Sequence, residues 1–97
     1  MTTYVVLGNF TQKGIETIKD LPSWREDVIE VLRDAGISMR ENLYTLGKYD
    51  FVLIMEAPNE EVMMKALLSR ARLGHIRTET LTAVSAEKMI EIVKGLP

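Results

Sequence analysis

The segment YTLGKYDFVLIMEAP, residues 44–58, holds two side chains able to take part in acid–base chemistry. Tyr49 carries a phenol and Asp50 a carboxylate, and an apolar run follows them directly. In a functional interpretation both line a pocket at the hairpin end of a sheet, where Asp50 acts as a base or as a hydrogen-bond acceptor. In a structural interpretation, which the turn composition favours, Asp50 binds the amides of the turn and Tyr49 packs over the hairpin.

A second group of candidate residues lies in HIRTETLTAVS, residues 75–85, whose composition predicts a strand. Alternation along a strand places His75, Arg77 and Glu79 on one face and Thr78 on the other. A guanidinium suits an anionic or carbonyl-bearing ligand, which makes Arg77 and its neighbour Thr78 ligand-binding candidates. The alternative is that Arg77 forms an ion pair with Glu79 or Glu56, across the strands or across a dimer.

Two ring-bearing residues complete the set of candidates. His75 is a candidate base; as the axial ligand of a haem it has no other support in the sequence. A histidine after a helix-ending glycine more often interacts with the helix C-terminus. Trp24 is a candidate ligand contact and, more simply, an anchor of the core. The catalytic candidates are therefore Asp50, Tyr49 and His75, and the ligand-binding candidates are Tyr49, Asp50, Arg77, Thr78 and Trp24.

The composition narrows the functional classes. The 97 residues include no cysteine and one histidine, so we expect no metal site. Twelve Lys and Arg against fourteen Asp and Glu give a net charge of −2, which argues against nucleic-acid binding. No apolar run is long enough to cross a bilayer, and the N-terminus is unlike a signal peptide. We expect one cytoplasmic domain, residues 1–97, that has no cofactor and does not contact a membrane.

Hydrophobic periodicity and turn residues divide the chain into seven main elements. Ser23 and Glu26 have the spacing of a capping box at the start of the first long helix. Gly47 and Lys48 suit a tight hairpin turn, and Asn59 suits the N-cap of the second long helix. The predicted elements are strand Thr3–Phe10, helix Ser23–Ala35, strands Ile37–Leu46 and Tyr49–Ala57, a helix after Asn59, strand His75–Ser85 and helix Ala86–Lys94.

This order, β-α-β-β-α-β with a C-terminal helix, predicts an α+β protein with the ferredoxin-like fold. Right-handed crossovers place both long helices on one face of a four-stranded antiparallel sheet. The third strand contains FVLIM, which is apolar at consecutive positions and therefore typical of a strand covered on both faces. We expect a second copy to cover the other face, in a homodimer that forms a dimeric α/β barrel. On the terminal helix we expect Met89, Ile90 and Val93 to face inward.

The hairpin segment also resembles the GYD domain, a family named for a Gly-Tyr-Asp signature at this turn. The resemblance extends along nearly the whole chain, in the order FTQKG (10–14), KDLP (19–22), YTLG (44–47), Asp50, EAP (56–58), Gly74, RT (77–78) and TL (80–81). Lys48 separates the glycine from Tyr49, and His75 stands where the family pattern has Asn. The resemblance implies a ferredoxin-like fold related to dimeric α/β barrels, and it implies no agreed reaction.

Three functions stay open on the sequence alone, and with them the question of whether the protein is an enzyme. The first is a small-molecule-binding homodimer with a regulatory or stress-linked role. The second is a cofactor-independent enzyme, monooxygenase- or isomerase-like, acting on a small aromatic or carbonyl substrate. The third is a structural assembly module. An RNA-binding role would need exposed aromatic residues on the sheet, and the third strand offers only Phe51.

Overall fold

In the computed structural model, which describes residues 1–97, four strands form one antiparallel sheet. The strands are β1 (Thr2–Phe10), β2 (Ser38–Tyr44), β3 (Phe51–Ala57) and β4 (Ile76–Ala83), in the spatial order β2-β3-β1-β4. The helices are α1 (Gln12–Glu16), α2 (Leu21–Asp34), α3 (Glu60–Ala71) and α4 (Ala86–Lys94), with a 3₁₀ turn over Ile18–Asp20. The predicted α+β ferredoxin-like arrangement is confirmed.

The core lies between the sheet and helices α2 and α3. In the register of β1 and β3, Tyr4 is opposite Met55 and Val6 is opposite Leu53, so these four side chains project from the same face. The buried core cluster consists of Tyr4, Val6, Leu32, Ile37, Met55, Ala57, Met63 and Ala66. Only eleven of the 97 residues are buried, so a single chain has a small core for its length.

The alternate residues of the same strands form what we call the open face of the sheet: Val5, Leu7, Val52, Ile54 and Leu81. Their strand registers pair Val5 with both Ile54 and Leu81, and Leu7 with Val52, which places all five together. Leu81 is 45% exposed. Within a single chain only the helix side of β3 is covered, so the continuous apolar run of this strand needs a further cover.

Helix α4 projects away from the rest of the domain. It begins at the predicted residue because the Ser85 hydroxyl oxygen accepts a hydrogen bond from the Lys88 amide at 3.0 Å. Met89, Ile90 and Val93 are 52%, 54% and 51% exposed. The expectation that these three face inward is wrong for the single chain, because about half of each side chain is exposed to solvent. The radius of gyration is accordingly 15.0 Å, against about 12.5 Å for a compact domain of this length.

The connection between β2 and β3 is longer than the tight turn predicted at Gly47 and Lys48, and it covers residues 45–50. The Thr45 amide donates to the Asp50 carbonyl at 2.8 Å, and the Thr45 hydroxyl donates to the Tyr49 carbonyl at 2.6 Å. These two bonds link Thr45 to Tyr49 and Asp50, so the loop that they close is longer than a two-residue turn. Gly47 still has a φ of +105°, a conformation that L side chains rarely adopt.

Ser23 lies inside α2 and does not cap it. The helix begins at Leu21 with Pro22 in its first turn, and no side chain caps its N-terminus. Proline suits this place because its fixed φ is helical and its missing N–H needs no partner there. Asn59, in contrast, does cap α3, since its Oδ1 accepts from the Val62 amide at 3.0 Å. That prediction is confirmed.

Candidate functional site

A cavity of about 90 Å³ lies between the sheet and helices α2 and α3. All four strands contribute side chains to its floor, and one side of each helix contributes to its roof. Fourteen of its nineteen lining residues are hydrophobic. Small-molecule sites typically combine such an apolar lining with a few polar groups. The cavity is therefore the candidate site of this protein.

Three rings, which we call the aromatic wall, line the sheet side of the cavity: Phe10, Tyr44 and Phe51. The rings of Phe10 and Tyr44 are stacked, with centroids 6.5 Å apart. Phe51 is tilted against both, at 5.7 Å from Phe10 and 6.4 Å from Tyr44. The Phe51 ring lies directly over Gly8, where a Cβ would collide with it. Gly8 thus leaves the space that the aromatic wall occupies.

Trp24 and His75 stack on each other where α2 meets the start of β4, with centroids 4.1 Å apart and an interplanar angle of 19°. The segment after β1 holds His75 in this position. The Thr11 amide donates to the His75 carbonyl at 3.0 Å, and the Thr11 hydroxyl donates to the Gly74 carbonyl at 2.5 Å. Gly14 lies so close beneath the His75 carbonyl that a Cβ would collide with it. Position 14 therefore requires a glycine, because a side chain there would collide with the backbone of His75.

The charged side chains of the lining are both arginines, Arg25 and Arg70, and the other polar side chains include Asn42, His75 and Thr78. Arg25 Nε donates to Asn42 Oδ1 at 2.8 Å, while Asn42 Nδ2 is buried without a partner. Arg70 is half-buried and forms no ion pair, because the two salt bridges of the structure lie elsewhere. None of the lining residues is an aspartate or a glutamate. The cavity therefore offers positive charge and free donors to whatever occupies it.

Asn42 reaches the cavity because β2 contains an irregularity. The pairing with β3 shifts between Met39 and Glu41, so Met39 is opposite Met55 while Asn42 is opposite Leu53. Met55 and Leu53 both face the helices. Simple alternation from Met39 would have placed Asn42 on the other face. One extra residue in the strand thus brings an amide into the cavity.

The structure brings together some of the residues proposed from the sequence and separates others. Trp24, His75 and Thr78 all line the cavity. Tyr49 and Asp50 do not, and neither does Arg77, which is opposite Asn9 on the side of the open face. His75 and Arg77 therefore lie on different faces of the sheet, because His75 precedes the first residue of β4.

Asp50 and Tyr49 make structural contacts, but these are not the contacts with the turn amides and with the hairpin that the sequence predicts. One carboxylate oxygen of Asp50 accepts from the Phe10 amide at 2.9 Å, and the Asp50 amide donates to the Gly8 carbonyl at 2.8 Å. The carboxylate thereby ties the end of the hairpin to β1. The Tyr49 hydroxyl donates to the Glu79 carboxylate at 2.8 Å in an exposed position.

Arg70 and Asn42 line the cavity but were not predicted from the sequence as site residues. For Arg70 a signal was present, since it follows Ala66 by four residues and Leu67 by three, and both are apolar residues of α3. Residues at this spacing share a helix face, so Arg70 shares the face of two residues that line the cavity. For Asn42 no local signal existed, because its orientation depends on the shift in strand pairing.

The structure contains no group of three or more His, Cys, Asp or Glu side chains able to hold a metal ion. None of its helices has the length and apolar character needed to span a bilayer.

A family model described as the GYD domain matches residues 4–93. A Thermus thermophilus protein named glutamine synthetase and cystathionine beta-lyase binding protein is 34% identical over 95 residues, which cover 97% of this chain and 100% of that protein.

Two solved structures share the fold. TTHA0845 from Thermus thermophilus has a TM-score of 0.61 at 23% identity, covering 89% of this chain and 96% of that one. MtbAldR has a TM-score of 0.65 at 9% identity, covering 87% of this chain and 52% of that one, so the match spans about half of MtbAldR. At these identities the two structures establish the fold alone.

Proposed function

This chain belongs to the GYD domain family, and we propose that it is a small-molecule-binding protein that works as a homodimer in a regulatory role. The observation that carries the proposal is the cavity between the sheet and helices α2 and α3. It has an apolar lining, an aromatic wall and a few polar groups, which is the composition typical of ligand sites.

The enzymatic alternative has less support in the same geometry. Of the three candidate catalytic residues only His75 lines the cavity, and its ring is stacked on Trp24. The Asp50 carboxylate accepts from the Phe10 amide, and the Tyr49 hydroxyl donates to Glu79, both away from the cavity. We therefore place ligand binding ahead of catalysis.

The open face and α4 support the homodimer. A single chain exposes two apolar surfaces, one on the sheet and one on the terminal helix, where Ile92 is also 47% exposed. Two sheets that pack face to face bury both of their inner faces, and a two-fold dimer does this with identical surfaces. Because the core of one chain is small, burial of the open face adds substantially to stability.

Trp24 provides a direct test of ligand binding, because it is the only tryptophan of the chain and it lines the cavity. Titration with small aromatic molecules should change the fluorescence of Trp24 in a saturable way. Native mass spectrometry of the gently purified protein should show a dimer mass and, where a ligand is retained, a small adduct.

Two variants of α2 control this experiment. Val28 lines the cavity, so Val28→Phe should fill it and abolish the saturable change. Val31 is half-buried on the same helix but does not line the cavity, so Val31→Phe should retain binding. Equal binding by the two variants, or no binding by the wild-type protein, would contradict the proposal.

A second candidate function is the binding of metabolic enzymes. It is favoured by the name of the Thermus thermophilus relative, which describes binding to glutamine synthetase and cystathionine beta-lyase. The test is retention of these two purified enzymes by the immobilised protein, against an unrelated enzyme of similar charge. Retention above that control supports the candidate, and its absence removes it without affecting the proposal for the cavity.

A further inference from the structure

The charged side chains that line the cavity are all positive. Its side chains include two guanidinium groups, from Arg25 and Arg70, and no carboxylate. The formal net charge of the whole chain is −2, so this positive lining does not follow from overall composition. A ligand that matches it carries a negative charge or several hydrogen-bond acceptors.

Arg70 is the charged side chain of the lining that most clearly lacks a partner within the chain. It is half-buried, it donates no side-chain hydrogen bond within the chain, and it has no acidic partner. The two ion pairs of the structure, Arg40 with Glu56 and Lys88 with Glu91, lie outside the cavity. Partial burial weakens the hydration of a guanidinium, and a bidentate carboxylate is well suited to replace that hydration.

Asn42 adds a second donor with a defined orientation. Its Oδ1 must be the atom that faces Arg25, because a guanidinium only donates hydrogen bonds. Its Nδ2 is then left buried without an acceptor. Buried donors in folded proteins nearly always have a partner, so the free amide marks a position for an acceptor atom.

We propose that the cavity binds a small monocarboxylate with a planar or branched apolar body. The apolar body contacts the aromatic wall, and the carboxylate accepts from Arg70 and Asn42. The volume of about 90 Å³ limits the body to roughly a single small ring or a short branched chain. No lining carboxylate is available for an ammonium group, so the site discriminates against amines and zwitterions. This inference rests on the proposed ligand-binding function and names its ligand class.

The test uses three small compounds with the same ring and different charges: benzoate, benzamide and benzylamine. Binding to the full-length protein is measured by isothermal titration calorimetry and by the NMR shifts of the Trp24 indole. We expect benzoate to bind at least about tenfold more tightly than benzamide, since one charge-assisted hydrogen bond accounts for such a ratio. We expect benzylamine to bind more weakly than benzamide.

Three arginine variants locate the charge that recognises benzoate. Arg70→Gln should reduce the affinity for benzoate to that for benzamide and leave benzamide binding unchanged. Arg72→Gln is the matched control, because Arg72 is exposed at the end of the same helix. Arg77→Gln tests the sequence-based candidate on the opposite side of the sheet. Both controls should bind benzoate as the wild-type protein does, and far-UV circular dichroism should show all three variants folded.

The outcomes separate the inference from the proposed function. If benzamide and benzoate bind equally and Arg70→Gln changes neither, the carboxylate class is wrong while ligand binding in the cavity stands. If Arg77→Gln removes the preference and Arg70→Gln does not, the inference is overturned in favour of the other face. If none of the three molecules binds and the Trp24 signals do not move, both the inference and the proposed cavity function fail.

Discussion

Both faces of the sheet are apolar at their centre, but the chain covers only one of them. Met55 faces the helices and is 1% exposed. Its neighbour Ile54 belongs to the open face, where no helix of the same chain packs. Leu81, which occupies the same face, is 45% exposed. The strands are the same, so the difference comes from where the two crossover helices lie.

The two faces of the sheet are suited to different partners. Two helices laid over a sheet leave a gap between them, and here the gap is a cavity with an aromatic wall. A flat apolar sheet face has no such gap and is best covered by another sheet. The covered face therefore suits a small molecule, and the open face suits a second copy of the chain.

The largest effect is expected from Ile54→Glu on the open face. In the proposed dimer this change buries a carboxylate without a partner, which should weaken self-association by at least about a hundredfold. The cavity lies on the other face, so the variant should remain folded and should still bind a small molecule. Size-exclusion chromatography with light scattering, over a range of protein concentrations, measures the change in mass.

Leu68→Glu is the matched control for this prediction. Leu68 belongs to α3 on the helix side of the sheet and is 68% exposed, so the charge remains in water. Its mass should equal that of the wild-type protein. A wild-type protein that is monomeric at every concentration, or an Ile54→Glu variant as dimeric as Leu68→Glu, would contradict the role of the open face.

A smaller effect is expected from Gly14→Ala beside the cavity. The new Cβ would collide with the backbone carbonyl of His75, which cannot move aside as a flexible side chain can. We expect the free energy of unfolding to fall by about 1–3 kcal/mol, as in other overpacked sites. Urea denaturation followed by Trp24 fluorescence measures this, and the stack of Trp24 on His75 makes the signal sensitive to the displacement.

Gly95→Ala provides the comparison for Gly14→Ala. At Gly95 the nearest atom to an added Cβ is the Ile92 carbonyl oxygen at 3.5 Å, an ordinary contact. The free energy of unfolding should then change by no more than about 0.5 kcal/mol. Equal effects of the two alanines would show that the close approach of Gly14 to His75 is unimportant for stability.

The smallest effect is expected from Asp50→Ala at the hairpin, which lies outside the cavity. The change removes the acceptor of the Phe10 amide and should lower the free energy of unfolding by about 1 kcal/mol. Tyr49→Phe removes only the exposed bond to Glu79 and should cost less than about 0.5 kcal/mol. Urea denaturation measures both. Loss of ligand binding in a folded Asp50→Ala variant would restore the functional interpretation of this carboxylate.

Some features that depend on neighbouring residues were predicted well, although the capping box at Ser23 is absent. The bounds of α4 agree at both ends, and the Asn59 cap of α3 is present. Each depends on one side chain that bonds an amide three residues ahead, and such contacts are visible in the order of residues. The β-α-β-β-α-β order followed from hydrophobic periodicity in the same way, since one buried face gives a repeat along each element.

Features that depend on distant residues were not predicted. The closure of the hairpin at Thr45 and the shift in pairing between Met39 and Glu41 arise from the register of β2 on β3. The same register decides that Asn42 enters the cavity. Because nothing within a strand specifies its partner's register, periodicity alone would place this residue on the wrong face.

Periodicity and capping act over a few residues, so the main strands and helices, their order and the need of β3 for cover on two sides could be predicted. Which chemical groups come together depends on how these elements pack. This packing places Trp24 against His75 and Arg70 in the cavity, and it leaves Asp50 and Tyr49 outside. These contacts form between residues that are far apart in the chain. They depend on strand register and helix placement, which no short stretch of sequence specifies.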